Sequence, residues 1–199
     1  MSDTATAKLT DGERFRRVGA WHGLAFLGAI TLFGAADAWA IQTDLAIAHI
    51  VSVINAVVAA SILSILMHEW GHFTGARLSG AYSPLVQTPT SQFIFGFRFD
   101  RNTREQFLAM SLGGLAGSWL LVAIILLAVP LDNWGRVTLF AVAVARAISA
   151  TLFEAPIVHR AWRGGDPQAE LNEGLANGSG DRGQVLGYSI GAVIWLIAI

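Results

Sequence analysis

Long apolar stretches constrain this chain more than any other feature of its sequence. Five of them approach or exceed the roughly 20 apolar residues that a helix needs to cross a bilayer. They run approximately over residues 18–40, 45–73, 106–130, 134–160 and 183–199. Apolar residues make up 54% of the chain and charged residues only 14%, which is not the composition of a soluble domain. The sequence therefore predicts an all-α polytopic membrane protein with about five transmembrane helices.

The first and last stretches differ from ordinary spans. The first follows a group of basic residues, as a signal peptide would, but it is long and lacks a small-residue cleavage site, so we expect a retained helix. The last holds 17 residues and is barely long enough to cross the hydrocarbon core of the bilayer, so the sequence allows a tilted, a shallow or a truncated span. We expect residues 1–17 to form a cytoplasmic N-terminal segment and residues 18–199 to form a single membrane domain.

Basic residues set the expected orientation of the bundle. Eleven of the thirteen lie before the first span, between the second and third, or between the fourth and fifth. These three segments share one side of the membrane. By the positive-inside rule that side is the cytoplasm, so spans two and four both run inward.

Several ionisable residues fall within the spans, among them Arg146 and His22. Arg146 lies in the middle of the fourth span, where a charge is expected either to pair within the bundle, which is the commoner case, or to contact a substrate or a gate. His22 lies near the cytoplasmic end of the first span. We expect it to be a polar residue at the membrane interface.

Span two ends with the sequence HEWGH, residues 68–72. Positions i and i+4 share a helix face, so the imidazoles of His68 and His72 can reach one metal ion, with Glu69 beside them as a general base. This is the H-E-x-x-H arrangement of zinc hydrolases. Chance, or a histidine pair at a helix end, is the alternative. The chain has no cysteine, so any metal must be held by histidine and carboxylate.

Two motifs resemble a known family. HEWGHFTGARLSG, followed by SLGGLAGSW at residues 111–119, is similar to the sequences of site-2 proteases, which are intramembrane zinc metalloproteases. The second motif has Gly-x-x-x-small spacing, in Gly113 with Gly117 and in Gly114 with Ser118, and such spacing lets two helices approach closely. The resemblance covers about residues 45–170. It implies a three-helix metalloprotease core, formed by spans two to four, with Zn²⁺ as the cofactor.

The third motif of the family is matched only in part. It usually reads Asn, then Pro, then Asp-Gly, whereas this chain has Pro156 and Asp166 with Glu154 near the position of the Asn. The resemblance implies Asp166 as the third metal ligand, and the two glycines before it give the loop freedom to turn inward. His159 and Glu154 are the alternatives. His159 is held on the helix, and Glu154 is expected to lie deeper in the membrane than the metal.

Residues 82–105 form the main segment predicted to be non-helical. Four phenylalanines alternate with other residues from Phe93 to Phe99, which is the period of a strand, so we expect a short β element between spans two and three. It is either an edge strand that pairs with an unwound substrate or a hairpin anchored by aromatics. Phe95 and Phe97, with Gly114 of the next helix, are the predicted substrate contacts.

These features predict a zinc-dependent intramembrane endopeptidase. Glu69 would take a proton from water and pass it to the leaving amine of a membrane-embedded peptide, near the cytoplasmic face. The expected location is the bacterial inner (plasma) membrane, with the N-terminus and active site toward the cytoplasm. Expected partners are the lipid bilayer and a membrane protein or peptide substrate, and no nucleic acid. The alternative is a non-proteolytic, protease-like subunit of a larger membrane protein complex.

Overall fold

A computed structural model describes residues 9–199 and contains six helices in that range. They are α1 (Asp11–Thr43), α2 (Ala46–Leu78), α3 (Arg104–Ala128), α4 (Trp134–Trp162), α5 (Pro167–Ala176) and α6 (Ser179–Ala198). The all-helical architecture is confirmed for the described residues. The first four helices are long and apolar enough to cross a membrane, consistent with an integral membrane protein.

The number of membrane-length helices and the start of the first helix both differ from the sequence prediction. The helix α6 is not among the four membrane-length apolar helices, so the count of five spans is not confirmed. Its first turn carries Asp181 and Arg182, which leaves a short apolar part. The helix α1 begins at Asp11, inside the predicted N-terminal segment, and residues 1–8 of that segment lie outside the described residues.

Side-chain caps define where the long helices begin. Thr10 accepts a hydrogen bond from the backbone N–H of Glu13, whose carboxylate in turn accepts from the backbone N–H of Thr10. Thr103 and Gln106 form the same reciprocal capping box at the start of α3. Asn133 accepts from the backbone at the start of α4. Each cap satisfies backbone donors that a helix start leaves without a partner.

The helix α2 lies at the centre of the bundle. It contacts α1, α3 and α4, while α4 also contacts α3, α5 and α6. Small and aliphatic side chains fill the interior between these helices. The main buried cluster includes Ala56, Ala59, Ala60, Leu63, Leu121, Val122, Ala143 and Ala147. Small side chains at these positions allow close helix packing, which fixes the HEWGH end of α2 relative to α3 and α4.

Glycines bring the backbones of α2 and α3 into contact. A Cβ added at Gly71 would overlap the backbone carbonyl of Gly113, and one added at Gly113 would overlap the carbonyl of Gly71. Gly75 and Gly117 are similarly close to the backbone of the facing helix. The close approach predicted from the Gly-x-x-x-small spacing is therefore confirmed, and α2 contributes glycines of the same spacing.

The segment between α2 and α3 contains a single antiparallel bridge, between Leu85 and Phe95. Backbone hydrogen bonds of 3.0 Å flank the bridge on both sides. The described residues contain no longer strand, so the predicted β element is not confirmed beyond this bridge. Pro84 and Pro89 have no N–H to donate, which limits the pairing of the first half of the segment. Ile94 is fully buried beneath the bridge.

Candidate metal centre

The helix α2 places His68 and His72 on one face, and their Nε2 atoms lie 2.9 Å apart. This follows from the i, i+4 spacing on a continuous helix that runs to Leu78. Both side chains are largely buried, with 18% and 14% of their surface exposed. The two imidazoles therefore converge on one point within the bundle.

Glu154 of α4 completes this cluster. Its Oε1 atom lies 2.9 Å from His68 Nε2 and 3.3 Å from His72 Nε2. The three side chains form a group that could hold a metal ion. An ion that binds tetrahedral ligands at about 2.1 Å separates the ligand atoms by roughly 3.4 Å, somewhat more than the 2.9 to 3.3 Å between these atoms.

Hydrogen bonds behind the imidazoles orient the ring of His72. Its Nδ1 donates to the backbone carbonyl of Met110 at 2.9 Å, so in the neutral ring Nε2 carries a lone pair. That lone pair faces Glu154 Oε1, which is also an acceptor. His68 Nδ1 lies 3.0 Å from Ser118 Oγ. Partners of this kind typically orient metal-binding histidines.

A proton or a metal ion between these acceptors would reconcile them. Two acceptor atoms 3.3 Å apart repel each other unless a proton or a metal ion lies between them. The second carboxylate oxygen of Glu154, Oε2, is buried with no hydrogen-bond partner in the described residues. Two imidazole nitrogens and one carboxylate are also a donor set that zinc uses in hydrolytic enzymes. The residues present therefore fit a zinc ion.

Gly114 supports the cluster from behind. A Cβ added at Gly114 would overlap the ring of His72, and the residue itself is buried. Sequence reasoning predicted Gly114 as a substrate contact. Its position against His72 gives it a packing role, in which the missing side chain makes room for the imidazole.

A cavity of about 720 Å³ opens beside the cluster. It is lined by Glu69 together with the two histidines and Glu154, so the predicted general base faces the same space as the candidate metal ligands. Phe95 and Phe97, the predicted substrate contacts, also line it. The cavity brings together the predicted general base, the candidate metal ligands and an apolar wall.

Asp166 and His159 do not belong to this group. Asp166 caps α5, where its Oδ1 accepts from the backbone N–H of Ala169 at 2.9 Å. His159 packs near Trp162, with ring centroids 6.1 Å apart. The structure thus brings Glu154, and not the favoured Asp166, to the two histidines.

The depth of the histidines explains this difference. The helix α2 continues for six residues beyond His72 to Leu78, and α4 continues for eight beyond Glu154 to Trp162. At about 1.5 Å per residue both groups lie roughly 10 Å inside their helix ends. The helix α2 extends five residues beyond the predicted end of span two near residue 73, so Glu154 lies level with the histidines and not at the greater depth expected from the sequence.

A second histidine contact was not anticipated from the sequence. Trp70, within HEWGH, donates from Nε1 to His22 Nδ1 at 3.1 Å, and His22 Nε2 then donates to the backbone carbonyl of Ser91 at 2.9 Å. His22 is 7% exposed, so its side chain is buried between α1 and its hydrogen-bond partners, and its location at the membrane interface stays a prediction. The two hydrogen bonds connect α1 and the α2–α3 segment to the helix that carries the candidate metal-binding histidines.

No protein-family model matches this chain, and comparisons with curated proteins and with solved structures find no match either. The likeness to site-2 proteases therefore stays a prediction carried by HEWGH and the glycine spacing. A functional assignment must stand on the chemistry of the cluster and its cavity.

Proposed function

We propose that this chain is a zinc-dependent intramembrane endopeptidase of the site-2 protease type. The observation that carries the proposal is the convergence of His68, His72 and Glu154 beside Glu69, in a cavity between helices of membrane length. Such a cluster has the ligands of a hydrolytic zinc site and leaves a coordination position open. Its location within a helical bundle favours substrates that are themselves membrane-embedded.

His68, His72 and Glu154 would hold the ion. When bound there, Zn²⁺ would lower the pKa of a water molecule and polarise the peptide carbonyl. Glu69 accepts a proton from the attacking water as its oxygen bonds to the carbonyl carbon. The same carboxyl group then gives that proton to the leaving nitrogen as the C–N bond breaks. Glu69 ends in its starting state, and the products are a carboxylic acid and an amine.

The Phe95 segment is suited to bind an extended peptide. The flanking hydrogen bonds of the Leu85–Phe95 bridge use the backbone of Ile94 and Gly96, which leaves the N–H and C=O of Phe95 pointing the other way. Those two groups make no hydrogen bond among the described residues. A substrate strand could pair with them, as in other cases of β-strand addition, while Phe95 and Phe97 contact its apolar side chains.

We place the active site toward the cytoplasm of a bacterial inner membrane, because the basic residues concentrate on the side where α2 and α4 end. The helix α6 would lie within or against the bilayer as a fifth apolar element. Substrates would be membrane protein segments, with the lipid bilayer as the surrounding solvent.

The proposal is tested with purified protein in proteoliposomes that contain a synthetic transmembrane peptide of about 20 residues. Zinc is measured by mass spectrometry, removed with a chelator and then restored, and peptide products are followed by mass spectrometry. We expect cleavage that disappears with the zinc and returns with it. Bound zinc without cleavage, together with a stoichiometric, detergent-stable partner protein on copurification, would instead favour the assembly-subunit alternative.

A further inference from the structure

Arg146 lies in the middle of α4 and faces the catalytic cavity. It lines the same space as Glu69 and Glu154, and it is only partly buried. The helix that carries it packs against α2, α3 and α6, so Arg146 lies within the bundle and away from the helix ends. A cation at this position needs a compensating group.

The described residues offer Arg146 no ion pair. Arg136, on the same helix, provides the contrast: its guanidinium donates to Asp37 at 2.8 Å and to Asp132 at 2.9 Å. The bundle thus supplies carboxylates to one arginine of α4 and leaves the other open to a cavity. The expectation that Arg146 forms an ion pair within the bundle is therefore not confirmed for the described residues.

The other charged groups that line the cavity do not fill this role. Glu154 is engaged by the two histidines, and Glu69 lies on α2 beside them. Asp181, in the first turn of α6, lines the cavity but forms no ion pair with Arg146 within 4.0 Å. The neutralising anion is therefore expected from a molecule that enters the cavity.

The spacing along α4 suggests where that anion lies. Eight residues separate Arg146 from Glu154 on one continuous helix, which is a distance of about 12 Å. An extended peptide rises by roughly 3.3 Å per residue, so this distance spans about three to four residues. A peptide lying along α4 with its scissile bond at the histidines would bring a residue at that separation to Arg146.

We propose that Arg146 determines substrate specificity by binding a carboxylate of the peptide, about three to four residues from the bond that is cut. The inference rests on the proposed function and adds a substrate class to it. A guanidinium offers two parallel N–H donors that match a carboxylate. The carboxylate is either an Asp or Glu side chain or the C-terminus of the peptide, since both present the same group.

Binding of fluorescent peptides separates these sources without requiring cleavage. The probes are apolar peptides of about 20 residues that carry one Glu or one Gln near the centre, with an amidated C-terminus. A third probe carries Gln and ends in a free carboxylate a few residues beyond its centre. Each is titrated by fluorescence anisotropy against zinc-loaded Glu69→Gln protein in detergent, which binds substrate with little turnover.

We expect one carboxylate probe to bind on the order of tenfold more tightly than the neutral Gln probe. Arg146→Gln should abolish this preference, and Arg146→Lys should retain part of it, because the charge remains but the paired donors are lost. Arg163→Gln, which removes an exposed charge beyond the end of α4, is the matched control and should keep the full preference. Zinc content and thermal melting of each variant verify the fold.

Equal affinity for the carboxylate and neutral probes would overturn the inference, and so would a preference that survives in Arg146→Gln. Arg146-dependent binding of phosphatidylglycerol without any preference among peptides would overturn it as well, and would indicate a lipid headgroup. A carboxylate preference in a protein that never cleaves would refute the protease but keep the recognition site. Cleavage that ignores peptide charge would do the reverse.

Discussion

Replacing Glu154 by glutamine should remove most of the zinc affinity while preserving the fold. Glutamine has nearly the same shape, and its amide N–H can donate to the lone pair on His72 Nε2, so the contact between α2 and α4 persists. The substitution removes a negative charge and one of the three candidate ligand atoms. Glu154→Gln therefore isolates metal binding from helix packing.

The expected loss can be bounded from the contacts of Glu154. Changing a residue that only orients a metal ligand typically lowers affinity about 10- to 100-fold. Glu154 Oε1 contacts both imidazoles, at 2.9 and 3.3 Å, so its loss should reach or exceed that upper figure. A factor of about 100 corresponds to roughly 3 kcal/mol of binding free energy.

Asp166→Asn is the matched control for this substitution. It removes a charge of the same sign, while the amide oxygen of asparagine can still accept from Ala169 at the start of α5. Zinc affinity is measured for both variants by competition with a chromogenic chelator, and thermal melting checks the fold. Zinc loss in Asp166→Asn, with normal affinity in Glu154→Gln, would refute the assignment and return the role to Asp166.

Two further predictions concern packing and orientation. Gly114→Ala should lower zinc content and melting temperature, because the added Cβ would overlap the His72 ring, whereas Leu112→Ala on the exposed face of α3 should leave both unchanged. A heavier loss in Leu112→Ala would contradict this. A topology reporter fused after Arg101 should report the cytoplasm and one fused near Asp132 the opposite side, as judged by compartment-specific labelling. Reversed labelling would contradict this orientation and would place the cluster near the opposite side of the membrane.

Periodic features of the sequence were sufficient to place two of the three candidate ligands. The i, i+4 spacing of His68 and His72 needs only a regular helix, and their Nε2 atoms meet as that spacing requires. The glycines of α3 likewise predict close packing, since any Cβ there would meet a neighbouring backbone or ring. Both inferences depend on local geometry alone.

The third candidate ligand depends on how far two separate helices extend. Apolar runs in the sequence stop near residues 73 and 160, whereas α2 reaches Leu78 and α4 reaches Trp162. The extension of α2 by five residues, which include Thr74 and Arg77, against two residues for α4, shifts the relative depth of His72 and Glu154 by about three residues, or roughly 4.5 Å. Hydropathy alone does not register such polar extensions. A carboxylate inside an apolar helix was the signal that pointed to Glu154.

The α2–α3 segment shows a different limit of sequence reasoning. Alternating phenylalanines indicated a strand, but a strand also needs a partner with available donors, and the facing residues include Pro84. The alternating phenylalanines therefore surround a single bridge, between Leu85 and Phe95, and not a longer strand. Three of the phenylalanines instead pack on the flanking helices, since Phe95 contacts Phe73 of α2 while Phe97 and Phe99 contact Phe107 of α3.

Cleavage by Glu69→Gln protein tests the central proposal most directly. The substitution leaves His68, His72 and Glu154 unchanged, so zinc content should match that of the wild-type protein. Cleavage of the transmembrane peptide in proteoliposomes should fall by about 10²- to 10⁴-fold, the range expected when a general base is lost. Full zinc occupancy with undiminished cleavage in Glu69→Gln would contradict the proposed mechanism.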